Sequence, residues 1–112
     1  MDRSQLAAFE EVPAFVWAKD PDSRYIWVNR ALAESSGQKM VGKLDGELSW
    51  SADAPQLVAH DRKVLASGEP SYSHEIAHLP DGSVMPLSVC KWAGELDGTP
   101  CIFGISFVIE GD

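Results

Sequence analysis

The side chains best suited to bind metals or to act as nucleophiles are few in this chain: three histidines and two cysteines. They are His60, His74, His78, Cys90 and Cys101. His74 and His78 are predicted to share one face of a strand, while Glu75 points to the other face. A structural zinc site usually closes with four ligands. Because the spacing supplies no such set, we favour solvated or edge-packed histidines over a metal site.

The two cysteines, Cys90 and Cys101, are predicted to lie on consecutive strands that pair with each other. In a cytosolic chain, two buried and reduced thiols are more common than a disulfide. A redox switch is the open alternative, and it would require a lowered thiol pKa or an exposed sulfur.

Other catalytic patterns are missing from the sequence. It has no G-x-S-x-G nucleophile turn, no H-E-x-x-H metal motif and no glycine-rich phosphate loop. Most carboxylates fall in predicted turns and at helix ends, where they cap the backbone. We therefore expect no enzymatic activity within this chain and look for a binding function instead.

The charge of the chain excludes two classes of partner. With 9 basic and 17 acidic residues the net charge is −8, which disfavours nucleic acid and anionic lipid because both require a basic surface. No apolar run approaches the roughly 20 residues that cross a bilayer, and the N-terminus is too polar for a signal peptide. We expect a cytoplasmic chain, without direct membrane insertion, that a membrane-anchored parent protein could still carry on its cytosolic side.

Five strands are predicted from aromatic and β-branched runs that end at turn residues. Phe15–Lys19 and Tyr25–Val28 flank a turn rich in Asp, Pro and Ser and predict a hairpin. Three further strands are predicted at residues 71–78, 84–92 and 99–109, separated by turns that contain Asp-Gly pairs. The expected architecture is α+β: a five-stranded antiparallel sheet with helices covering one face.

The predicted helices lie between the second and third strands. Asn29 ends the second strand, and residues 30–36 form a helix that closes at Gly37. Short turns follow at 39–41 and 45–50. The longest helix spans 54–67, with Ser51 or Asp53 as its cap. Its predicted buried stripe is Leu57, Val64 and Leu65, and its predicted solvent-facing residues are Asp61, Arg62 and Lys63.

The N-terminal segment is predicted to be a short amphipathic helix over residues 4–12, with Ser4 as N-cap. Its apolar stripe consists of Leu6, Phe9 and Val12. The stripe packs against its own sheet or forms a dimer interface with a second copy. The expected organisation is this helix at 1–12, followed by one domain at 13–110.

Several segments in this order resemble the PAS domain, a small sensory module of bacterial signalling proteins. The resemblance rests on WAKD at 17–20 with VN at 28–29, VGKLD at 41–45, DRKVLASGEP at 61–70, DGSVMPLSV at 81–89 and DGTP at 97–100. It implies a PAS-like sheet with short helices and one longer helix on one face. It also implies a sensory or regulatory role, a homodimer, and a covalently linked effector domain such as a histidine kinase or a diguanylate cyclase or other cyclic-di-GMP enzyme.

The resemblance also bears on cofactors. Haem-binding members place the ligating histidine on the long helix near Leu57, whereas His60 stands about one turn later. Flavin-binding light sensors carry an Asn-Cys-Arg motif on a helix, and this chain has none. Haem and flavin are therefore disfavoured, and the ligand is unknown. The last strand of similar domains ends in Asp-Ile-Thr, where this chain has Val108 and Glu110 in place of the Asp and the Thr.

Two interpretations of the aromatic and aliphatic interior stay open: a filled core, or a small-molecule pocket with apolar walls and few polar groups. Half of the candidate pocket residues are expected to face inward. They are Trp17, Trp27, Leu32, Val41, Leu48, Trp50, Leu57, Val64, Tyr72, Ile76, Leu87, Val89, Phe103 and Ile105. The first interpretation leads to a ligand-free dimerisation module, and the second to a ligand sensor that is an excised part of a larger signal-transduction protein.

Overall fold

One antiparallel sheet organises the structure, a computed structural model that describes residues 1–109. Its strands lie in the order β2-β1-β5-β4-β3. They are β1 (Phe15–Lys19), β2 (Tyr25–Val28), β3 (Ser71–His78), β4 (Val84–Leu96) and β5 (Thr99–Val108). The α-helices are α1 (Arg3–Leu6), α2 (Arg30–Ser36) and α3 (Ala54–Ser67), with 3-10 turns at Ala7–Phe9, Asp45–Glu47 and Ser51–Asp53. The predicted α+β architecture and element order are confirmed.

Several element boundaries differ from the prediction. The first helix ends at Leu6 and continues as a 3-10 turn to Phe9, short of Val12, and β5 ends at Val108. The first helix begins one residue earlier, because Asp2, not Ser4, is its N-cap: its carboxylate accepts from the Gln5 amide while the Gln5 side chain accepts from the Asp2 amide. Strand β4 extends to Leu96 because the connection to β5 contracts to Asp97 and Gly98. Both residues have positive φ, 52° and 81°, as a two-residue type I′ turn requires.

The sheet buries apolar side chains on both faces. The inner face, covered by α2 and α3, carries the cluster Trp17, Tyr25, Met40, Leu48, Trp50 and Val89. The outer face carries the cluster Leu6, Ala18, Leu96, Cys101 and Phe103. Strand residues alternate between the faces, so Trp17 and Ala18 belong to different clusters. The helices therefore do not all cover one face, since α1 packs on the other.

The N-terminal helix packs against its own sheet. Leu6 is 2% exposed within the outer cluster, while Phe9 and Val12 are half-buried. Leu6 thus packs within its own chain, and a dimer interface through Leu6, Phe9 and Val12 stays a prediction. None of the helices in residues 1–109 is long and apolar enough to cross a membrane.

Helix α3 differs from its prediction at one position. Arg62 and Lys63 are exposed as expected, but Asp61 is 0% exposed, so its predicted solvent-facing position is wrong. Asp61 follows Leu57 by four residues and precedes Val64 by three, which places all three side chains on one helical face. That face meets the inner side of the sheet.

Candidate functional site

Five ionisable side chains meet between the inner face of the sheet and the helices; we call them the charge cluster. They are Lys19, Lys91, Asp45, Asp61 and Glu75. Lys19 Nζ donates to Asp45 Oδ2 at 2.7 Å and to Asp61 Oδ2 at 2.9 Å. Lys91 Nζ lies 3.1 Å from Asp61 Oδ1 and 3.9 Å from Glu75 Oε2. Asp61 therefore joins the two lysines, which come from β1 and β4.

Asp45 is held by neutral donors as well as by the lysine. Its Oδ1 accepts from the Tyr25 hydroxyl at 2.7 Å and from the Trp50 indole N–H at 2.8 Å. The Lys19 ammonium also stands 4.7 Å from the centre of the Tyr25 ring, within cation–π range. The 3-10 turn Asp45–Glu47 is thereby fixed to the sheet through one carboxylate.

Burial and charge pull the pKa of Asp61 in opposite directions. Burial acts to raise the pKa of this carboxyl, but the Lys19 and Lys91 ammonium groups outweigh it, so the pKa lies below its ordinary value. Burial, followed by the negative charge of Asp45, raises the pKa of Tyr25 well above its ordinary value. At neutral pH Asp61 is therefore ionised and Tyr25 is a neutral hydrogen-bond donor.

Glu75 connects the charge cluster to the sheet edge. Its Oε2 accepts from the Ser73 hydroxyl at 2.9 Å and lies 3.5 Å from His60 Nδ1. His60 Nε2 forms a short hydrogen bond with Ser71. Both ring nitrogens of His60 thus face protein groups of β3.

A cavity of about 80 Å³ adjoins the charge cluster on the inner side of the sheet. Its walls combine aromatic and aliphatic side chains with a small number of polar ones, among them Lys19, Lys91, Glu75 and Ser106. A site with apolar walls and few polar groups is typical of small-molecule binding. The inner core is therefore not completely filled.

The structure brings together only some of the predicted pocket residues. Those that line the cavity are Trp17, Leu32, Trp50, Leu57, Ile76, Leu87 and Val89. Leu48 and Val64 are buried nearby without lining it. Val41 is 46% exposed, and four others lie on or against the outer face of the sheet: Trp27, Tyr72, Phe103 and Ile105.

The register of β2 explains why Trp27 is not in the cavity wall. Trp27 pairs with Ala18, while Tyr25 pairs with Lys19, because the register shifts by one residue between these pairs. This irregularity, a β-bulge at Ile26, reverses the alternation of faces. Tyr25, which is absent from the predicted set, therefore lines the cavity, and Trp27 packs on the outer face.

The charge cluster was also missed from the sequence, although a signal was present. Lys19 ends an apolar strand and falls on the same face as Phe15 and Trp17. Lys91 stands in the same relation to Val89. A lysine on the inward-facing positions of a strand predicts a buried carboxylate partner, since buried charges require pairing.

Gly104 allows the Trp17 ring to form part of the cavity wall. A Cβ atom at Gly104 would lie 2.2 Å from Trp17 Cε2 and Cζ2, so the indole packs directly against the glycine. We expect Gly104→Ala to displace the ring, to change its near-ultraviolet circular dichroism and to destabilise the fold by about 1–3 kcal/mol through overpacking. Gly46→Ala is the matched control, because its Cβ would meet only Ala54 Cβ at 4.0 Å. An unchanged dichroism spectrum in Gly104→Ala would contradict this packing.

The histidines and cysteines do not form a shared site. Within residues 1–109, no three His, Cys, Asp or Glu side chains are grouped to hold a metal ion. His74 is exposed on the outer face, and His78 Nδ1 lies 2.7 Å from Asp53 Oδ2. Cys90 pairs with Ile105 and Cys101 with Gly94, so the cysteines do not face each other across the ladder, and both are free thiols.

The two thiols are expected to differ in reactivity. Cys101 is 1% exposed, and burial raises the pKa of its thiol to about 11, whereas Cys90 is half-buried. At pH 8 a thiol reagent should modify Cys90 first and Cys101 only on unfolding, because the thiolate is the reactive form. Counting the thiols that react before and after urea treatment, in the wild type and in Cys90→Ser, checks this. Equal rates for both would contradict the burial of Cys101.

Known proteins share this fold. The family model of the PAS fold matches residues 9–105. No curated protein sequence matches the chain. Among solved structures, the VqmA dimer of Vibrio cholerae in the absence of target DNA has a TM-score of 0.83 at 22% identity, over 96% of this chain and 51% of VqmA. VqmA bound to DPO has a TM-score of 0.82 at 21% identity, over 97% of this chain and 58% of VqmA.

Two further solved domains share the fold over most of their own length. The PAS domain of an HTR-like protein from Haloarcula marismortui has a TM-score of 0.77 at 24% identity, covering 95% of this chain and 90% of that domain. A domain of a sensor histidine kinase/response regulator from Geobacter sulfurreducens has a TM-score of 0.69 at 22% identity, covering 92% of this chain and 90% of that domain. These identities support a common fold alone, and the chain spans about half the length of the VqmA chains. With the family match over most of its length, the chain belongs to the PAS fold family.

Proposed function

We propose that this chain is the sensory module of a larger bacterial signal-transduction protein, and that it binds a small molecule in the cavity beside the charge cluster. The observation that carries the proposal is the cavity itself, about 80 Å³ between the sheet and α2 and α3. A filled core would serve stability better, because unfilled interior volume costs packing contacts. VqmA, which shares this fold, has been solved bound to DPO, and this supports a ligand-binding role for the present chain.

Transmission of the signal is proposed to run through β5. Ser106 lines the cavity, and Val108, two residues later, ends the strand. Val108 replaces the Asp of the family's usual Asp-Ile-Thr, and Glu110 lies outside the described residues. A ligand can shift the module between two states by no more than its difference in affinity for them. We propose that the signal passes to a covalently linked effector domain, a histidine kinase or a cyclic-di-GMP enzyme.

The test is native mass spectrometry of the protein purified from its expression host, paired with an absorbance scan through the visible range. We expect an added mass that disappears on denaturation, and a rise in melting temperature when the extracted compound is returned. A bare protein that stays bare after incubation with extracts of its host would argue against the sensor.

A second candidate function is a ligand-free dimerisation module, favoured by the outer face of the sheet. Tyr72 is 77% exposed and Phe107 55%, and strand pairing places them on neighbouring rows of that face. Contiguous exposed apolar side chains are typical of interaction surfaces. Sedimentation of the wild type and of Phe107→Glu over a range of concentrations tests it; a monomer at all concentrations in both would exclude this function.

A further inference from the structure

Two hydrogen-bond donors in the cavity wall make no hydrogen bond to the protein among residues 1–109. They are the indole N–H of Trp17 and the ammonium of Lys91. Trp17 is 8% exposed and Lys91 1%. The Lys91 ammonium forms an ion pair with Asp61 Oδ1 at 3.1 Å, but neither atom makes a hydrogen bond. Buried donors are nearly always satisfied in native proteins, so both point to acceptors supplied from within the cavity.

We infer that the cavity binds a small, uncharged molecule carrying hydrogen-bond acceptors, which accepts from Trp17 Nε1 and from Lys91 Nζ. This inference rests on the proposed sensory function and adds the chemical class of its ligand. Aromatic side chains such as Phe15 and Trp50 supply the remaining walls. They contact an apolar ring or chain and leave recognition of the polar atoms to the two donors.

The charges around Lys91 decide against an ionic ligand. The four fully buried ions, Lys19, Lys91, Asp45 and Asp61, balance one another, and Glu75 adds a further carboxylate 3.9 Å from Lys91 Nζ. An anionic ligand would enter beside Asp61 and Glu75 without bringing a compensating cation. A cationic ligand would meet the ammonium groups of both lysines, which lie in the cavity wall. An uncharged acceptor satisfies both donors and adds no charge to the cluster.

The volume sets the size of the ligand. A cavity of about 80 Å³ exceeds the roughly 10–15 Å³ that one water needs, and it is smaller than the engineered apolar cavity of about 150 Å³ that binds benzene. The ligand therefore has the size of a single ring or less.

The experiment compares three probes of similar size: cyclopentanone, which is uncharged and carries an acceptor, cyclopentane, and cyclobutanecarboxylate. Binding is followed in two-dimensional NMR by the indole N–H signals of the two tryptophans that line the cavity, Trp17 and Trp50. The Trp17 signal is assigned from its loss in Trp17→Phe, and the Trp50 signal reports binding in that variant. We expect cyclopentanone to move the Trp17 signal downfield and to bind about tenfold more tightly than either other probe. Trp17→Phe and Lys91→Met should each weaken cyclopentanone about tenfold. Trp27→Phe, on the outer face, should leave it unchanged.

The outcomes separate the ligand class from the sensory function. Binding of cyclopentane or of the carboxylate as tightly as cyclopentanone, or cyclopentanone binding that survives Trp17→Phe, would overturn the ligand class and leave the cavity as a binding site. Binding of none of the probes, in a protein that native mass spectrometry also finds empty, would overturn both. If Lys91→Met does not fold, the wild-type titration and Trp17→Phe still test the ligand class.

Discussion

Replacing Asp61 by asparagine is expected to lower the free energy of unfolding by about 3–5 kcal/mol, the usual cost of removing one partner from a buried ion pair. The asparagine side chain would keep the shape of the aspartate and remove its charge. Lys91 would then be left with Glu75 at 3.9 Å, and Lys19 with Asp45 alone. Each buried ammonium group would then have one carboxylate partner, and the cost of removing the lysines from water would no longer be compensated.

Urea denaturation at pH 7, followed by tryptophan fluorescence, measures this loss. Asp22→Asn is the matched control, since Asp22 is exposed in the β1–β2 turn and should change stability by less than about 0.5 kcal/mol. A loss below about 1 kcal/mol in Asp61→Asn, judged against the range for broken buried pairs, would mean that water screens the charge cluster.

The same substitution should weaken the dependence of the free energy of unfolding on pH in the acid range. The pKa of Asp61 is lowered in the folded state, so its stabilising effect is present above the unfolded pKa of about 3.9 and is lost as pH falls through the folded pKa. The difference in stability between the wild type and Asp61→Asn should therefore narrow below about pH 4. A difference that stays constant from pH 7 to pH 3 would show that the charge of Asp61 is not the cause.

The elements of this fold follow from local sequence, but the charge cluster does not. Asn29 and Gly37 bracket α2, and Asp97-Gly98 closes the last hairpin, because caps and turns depend on a few adjacent residues. The local pattern predicts Asp61 in solvent beside its charged neighbours on α3. Only the pairing of β4 with β5 and of β5 with β1 brings Lys91 and Lys19 beneath it, and such long-range register is not encoded in a single helix.

The cavity wall was predicted in part for a related reason. Strand alternation assigns faces correctly until it is interrupted, and the bulge at Ile26 interrupts it. Trp27 was therefore predicted inside and Tyr25 was overlooked. Tyr72 and Phe103, two candidate pocket residues, lie on the outer face. Both faces of this sheet carry large apolar residues, so apolar character alone does not choose between them.

Asn29 ties three segments together, and Asn29→Ala is expected to cost about 3–5 kcal/mol of stability. Its Oδ1 accepts from the amides of Val16 and Leu32, each at 3.2 Å. Its Nδ2 donates to the carbonyls of Phe9, Val12 and Ala14 at 3.1, 3.3 and 2.8 Å. Alanine would remove the N-cap of α2 and leave these backbone groups without their partner, at a position that is 0% exposed.

Asn29→Asp separates the two roles of this amide. A carboxylate keeps the acceptor for Leu32 and still caps α2, but it places an oxygen against the carbonyls of Phe9, Val12 and Ala14. We expect it to be at least as destabilising as alanine, and hydrogen exchange should show residues 1–14 losing protection first. Gln56→Ala, exposed on α3, is the control.

Protection of residues 1–14 that survives Asn29→Asp would mean that Leu6, packed in the outer cluster, holds the N-terminal segment without Asn29. If protection is lost instead, one buried amide links the N-terminal helix mechanically to the start of α2. Because Leu32 and Ser36 of α2 line the cavity, a change in the cavity would then have a direct path to the N-terminal segment on the opposite face of the sheet.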